Sequence, residues 1–76
     1  MYLKDLRKMN NEKIVESLNS AQRSYNNRFK IWEYTRNATD SYFMNVYLRT
    51  INNCKKVLAE RNLKVEFTYK GWEAIQ

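Results

Sequence analysis

The chain has 76 residues, of which 14 are Lys or Arg and 8 are Asp or Glu, with no histidine and a net charge of +6. That length holds one domain, residues 1–76, whose buried surface barely offsets the entropy of ordering it. With a single cysteine and no histidine, disulfide staples and ordinary zinc sites are excluded as sources of extra stability.

Proline is absent and the only glycine is Gly71, so nothing interrupts helix formation before the tail. Tyr2, Leu6 and Met9 are spaced like one helical turn, which predicts a short N-terminal turn carrying Leu3 and Leu6. From about residue 11 to residue 36, Ile14, Leu18, Ala21, Tyr25, Phe29 and Trp32 recur every three or four residues and form one apolar stripe. Asn10 or Asn11 can cap this first long helix, and Glu12 and Glu16 suit the positive end of its dipole. Asn37-Ala38-Thr39-Asp40 breaks the pattern and offers Thr39 or Asp40 as the next cap.

From about residue 40 to residue 61, Phe43, Val46, Tyr47, Thr50, Cys54, Val57 and Leu58 make a second stripe, and Asn62 can close that helix in a left-handed conformation. A connection of about four residues makes the helices antiparallel neighbours. Their facing stripes then pair Trp32 with Phe43, Tyr25 with Thr50 and Leu18 with Val57, and set Ala21 opposite Cys54. Two small residues facing each other either let the helices approach closely or leave room for a third element, from Leu3 and Leu6 or from Trp72 and Ile75, and the third element is the expectation. Val15, Met44 and Ile51 sit at the apolar margin such an element would cover.

At Leu63 the period changes from 3.6 to 2, and Leu63 to Tyr69 reads as a strand. A lone strand leaves backbone groups unpaired, so Val65, Phe67 and Tyr69 are expected to mark an edge that pairs with a second copy or with a partner protein. The N-terminal stretch Met1–Leu6 is the alternative within the chain. The expected fold is therefore mainly α: an antiparallel two-helix hairpin with a short N-terminal turn and a short C-terminal β-strand.

Chemistry finds little support. Cys54 lies in an apolar stripe with no histidine to act as its base, and the carboxylates are scattered without ligand-like spacing. Glycine-rich phosphate loops need glycines the chain lacks. No catalytic residue, metal or cofactor is expected, and the chain reads as a non-enzymatic protein.

The polar faces carry more. Arg23, Asn27, Lys30 and Tyr34 align on the first long helix, and Asn45, Arg49, Asn52 and Lys56 align on the second. In each row two cations stand about 10.5 Å apart along the axis with asparagines between them. Such rows suit a carboxylate-rich protein surface or phosphates, and Tyr34 is an exposed aromatic of the kind that anchors interfaces. The charge is concentrated in the helices, with eight cations against four anions over residues 1–36, whereas residues 63–76 are neutral. The neutral, aromatic tail favours a protein partner over nucleic acid.

The expected function is a small regulator or inhibitor that occupies a surface of a larger protein. A basic nucleic-acid-binding protein that contacts phosphates through its helical faces is the alternative, and a homo-oligomer is compatible with either. The wealth of Asn, Lys and Tyr is the bias of an A/T-rich coding sequence, as in small phage or mobile-element genes. No apolar run near 20 residues and no signal pattern is visible, so a cytoplasmic location without membrane contact is expected.

Overall fold

The computed structural model describes residues 1–75. In chain order it contains α1 (Leu3–Leu6), α2 (Asn11–Thr35), α3 (Ala38–Glu60), β1 (Lys64–Thr68) and β2 (Gly71–Ile75). The long helices pack against each other as an antiparallel pair, as their stripes predict, and β1 and β2 form a two-stranded antiparallel sheet.

Helix ends follow from side-chain chemistry. Asn10 caps α2 by accepting from the Lys13 N–H at 2.8 Å, and Arg36 ends it with a left-handed φ of 51°. The cap of α3 is Asn37, which accepts from the Thr39 N–H at 2.8 Å, rather than Thr39 or Asp40. Asp40 is instead buried, taking the Thr35 hydroxyl at 2.6 Å and the Arg28 guanidinium at 3.0 Å. A helix-start carboxylate thus becomes a latch across the α2–α3 turn. Asn62 closes the other end of α3 as expected, with φ 60° and the Leu63 N–H donating to the Leu58 carbonyl.

The core is Leu6, Ile14, Leu18, Ala21, Ile51, Cys54, Val57 and Leu58. Both candidate third elements pack on the core that contains Ala21 and Cys54, through Leu3 and Leu6 and through Trp72, but Ile75, expected beside Trp72, does not. Leu6 is fully buried from one side and Trp72 packs from the other. The two additions occupy opposite broad faces of the pair. On α3, Asn53 and Glu60 meet the Met1 carbonyl and Arg7, whereas Lys55 stacks on Trp72 about half a helical turn away. The shortest Cα extent, 14 Å, matches two helices side by side, and the stack of N-terminal segment, helix pair and hairpin fits the 28 Å extent.

Strand pairing differs from the sequence expectation. The partner of β1 is the tail itself, with Lys64 opposite Ile75, Val65 opposite Ala74, Glu66 opposite Glu73 and Phe67 opposite Trp72. Thr68-Tyr69-Lys70-Gly71 supplies the turn, so neither Met1–Leu6 nor a second chain is needed to form the sheet. Val65 and Trp72 share the inner face and pack on the core, while Ile75 lies on the outer face and is exposed.

Candidate interaction surfaces

Arg23, Asn27, Lys30 and Tyr34 lie about half a turn from the α2 residues that meet α3, and Asn45, Arg49, Asn52 and Lys56 stand in the same relation on α3. All eight are exposed, Tyr34 at 90%. Because the apolar stripes face each other, the two polar rows point away from each other along opposite edges of the pair. They do not merge into one basic surface.

Arg23 has a second neighbourhood. The β1–β2 turn reaches over α2 and forms a shallow pocket lined by Arg23, Asn19, Asn26, Phe67, Tyr69 and Lys70. Tyr69 projects from the turn at 93% exposure with the Lys70 ammonium near its ring. Phe67 meets Trp72 edge-to-face and remains 58% exposed. Thus of the eleven expected surface residues, Arg23, Phe67 and Tyr69 converge, Arg49, Asn52 and Asn45 share a groove on α3, and Val65 is half-buried on the inner face of the sheet.

Asn19 is the residue the sequence reading missed. Its amide oxygen accepts from the Trp72 N–H at 2.7 Å and its NH2 donates to the Trp72 carbonyl at 3.0 Å. A helix side chain therefore caps the outer edge of β2 at Trp72, taking both backbone groups that a further strand would pair there, and Gln22 beside it accepts from the Trp72 indole at 3.1 Å. Nothing in an isolated mid-helix asparagine signals this, since its partner is 53 residues away in sequence.

The third layer covers only half of the helix pair. On α2 the residues under the hairpin, Val15, Asn19 and Gln22, continue at the same spacing through Asn26, at the rim of the turn's pocket, to Phe29 and Glu33, which nothing in the described chain covers. On α3 the matching continuation is Leu48 and Met44. On the opposite face Ile31 and Tyr42 are likewise exposed. This uncovered end is aromatic: Phe29 stacks on Tyr25 and meets Trp32 at a tilt, Tyr42 meets Phe43 edge-on, Arg36 lies over Trp32 and Arg28 over Phe43.

Charged groups at the two ends serve as fasteners. Thr35 and then Arg28 hold the Asp40 carboxyl below the usual carboxylate range, and Arg7, bidentate to Glu60 at 2.8 and 3.1 Å, does the same for Glu60. Arg61 donates to Asn11 and to the Arg7 carbonyl, tying the N-terminal segment to the end of α3. Cys54 is 0% exposed and burial pushes its thiol pKa up, the setting of an inert core cysteine. Among the described residues no cluster of three metal-ligating side chains occurs and no helix is long and apolar enough to cross a membrane. The chain matches no family model, no curated protein and no solved structure.

Proposed function

We propose that this chain is a non-enzymatic binding protein that docks the uncovered end of its helix pair on a larger protein, as a small regulator or inhibitor does. The observation that carries this reading is the half-length third layer, which leaves Phe29, Ile31, Tyr42 and Leu48 exposed, with Tyr34 and Lys30 on one adjoining edge and Arg49 on the other. Exposed aromatics flanked by cations have the composition of interface centres, and leaving so many of them to water costs solubility without a structural return. The partner's surface is an apolar patch rimmed by carboxylates.

Divergence of the two basic rows weighs against phosphate tracking, which works best with cations along one groove. The test is capture from a lysate of the native host, with and without nuclease, by the wild type and by a Phe29→Ala/Tyr34→Ala/Tyr42→Ala variant. A protein retained after nuclease by the wild type and lost by the variant is the expected result. Retention of nucleic acid alone, with affinity falling steeply as salt rises, would replace this reading with the phosphate-binding one.

A further inference from the structure

A two-stranded sheet has two outer edges, and here they differ. Both outward groups of Trp72 on β2 are taken by Asn19, which means that Phe67 and Trp72 do not exchange backbone hydrogen bonds. In an antiparallel ladder bonded and non-bonded pairs alternate, so Val65 opposite Ala74 is also a non-bonded pair. The N–H and C=O groups of Val65 and Phe67 therefore point outward from β1, and no described group receives them. At Trp72 the edge of β2 is closed by a side chain, which leaves only Ala74 free on that edge, whereas β1 is open at both Val65 and Phe67.

We propose that β1 adds antiparallel to β1 of a second copy, about a two-fold axis through Val65, making a continuous four-stranded sheet. Charge selects this register. With the axis at Val65, Lys64 stands opposite Glu66 of the second copy on the outer face, twice by symmetry, and Leu63 stands opposite its Phe67 on the inner face. An axis at Glu66 would set that carboxylate against itself, and an axis at Phe67 would set Lys64 against Lys70. Within one chain Glu66 already faces Glu73 across the sheet, and neither makes an ion pair among the described residues. A lysine from a second copy relieves that like-charge contact.

Sterics agree with charge. β1 runs back along α3, since Val65 and Ala59 line one groove at the helix end while Lys55, a turn earlier, lies at 5.0 Å from the ring of Trp72. An axis at Val65 therefore sits at the C-terminal end of α3, and the two helix pairs extend away from it in opposite directions. An axis at Phe67 would slide them alongside each other. In the Val65 register, Val65 bonds reciprocally to its symmetry mate, and the Phe67 N–H reaches the Leu63 carbonyl. The Leu63 N–H is already committed to Leu58.

Molar mass of the full chain, followed by light scattering and sedimentation through a dilution series, decides the matter, with no partner protein present. Wild type should pass from dimer to monomer as it is diluted. Lys64→Glu and Glu66→Lys alone should each raise the dimer dissociation constant by about tenfold or more, and the two together should restore it, because the swapped charges face each other again. Val65→Pro removes an outward donor that the internal ladder does not use, so it should abolish the dimer while helical circular dichroism persists. A wild type that stays monomeric throughout would overturn the proposal, as would a dimer unaffected by either charge reversal or one that the double swap fails to restore. Binding through the far end of the helices is read separately in the capture experiment, so either proposal can fail alone.

Discussion

At Gly71 the backbone has φ 109°, and a Cβ built there would stand 2.7 Å from Asn19 Oδ1. The chain's single glycine is thus required twice, by its dihedral and by the close approach of the side chain that clamps β2. Gly71→Ala should destabilise the fold by about 1–3 kcal/mol, the range for backbone strain at one residue, as measured by urea unfolding. Asn19→Ala leaves the Trp72 amide without its partner and should cost about 1–3 kcal/mol on the same assay. If both variants melt like the wild type, the clamp does not hold the hairpin.

Asp40 gives the molecule an acid sensitivity whose sign is fixed by its partners. Its pKa is lowered in the folded state, first by the Thr35 hydroxyl and then by Arg28, so the unfolded chain takes up the proton at higher pH than the native one. The latch is fully stabilising above the ordinary carboxylate range and is lost as pH falls through that range toward the native value. Glu60, lowered by Arg7, acts with the same sign. Melting temperatures from neutral pH downward should show the wild type several degrees above Asp40→Ala at neutral pH, with the gap closing in acid. A gap independent of pH would mean that the ionised carboxylate contributes nothing.

The helices are legible because each carries a stripe of mostly apolar residues every three or four positions over most of its length without glycine or proline, and the short turn between them leaves only an antiparallel pairing. Leu18 and Val57 meet the expectation of burial, both at 0% exposure. Replacing either by Asp should abolish the cooperative melt, since an unpaired buried charge costs several kcal/mol against the roughly 5–15 kcal/mol that stabilises a domain. The strand β2 was within reach and was missed: Trp72-Glu73-Ala74 alternates before Ile75 breaks the pattern, and Thr68 to Gly71 ends in the residue a tight turn uses. Five residues with a single large aromatic give a weak period-2 signal beside the longer run of β1. The clamp was not legible at all, because a helix-borne asparagine has no periodicity to betray a distant partner.

For the whole molecule, the two polar rows could have been placed correctly from sequence: each lies opposite its own stripe, and the stripes face each other, so the rows must diverge. What sequence could not supply was the length of the third layer, because that depends on where the hairpin lands on α2. Uneven coverage predicts uneven protection. Backbone amides of α2 between Asn27 and Thr35 should exchange with deuterium faster than those between Leu18 and Asn26, by local opening that leaves the core intact. Uniform protection along α2 would show that helix-on-helix packing alone stabilises the far end as well as three layers do the near one.

The clamp also sets an order in time. The α2–α3 pair is built from contacts near in sequence across a tight turn, whereas the Asn19–Trp72 hydrogen bonds close a loop of 53 residues and await a preformed helix to receive them. Docking of the hairpin then belongs on the native side of the folding barrier, and its release is the first step of unfolding. Asn19→Ala should accordingly speed unfolding while leaving the refolding rate nearly unchanged, with Trp72 fluorescence the last signal to recover and the first to be lost.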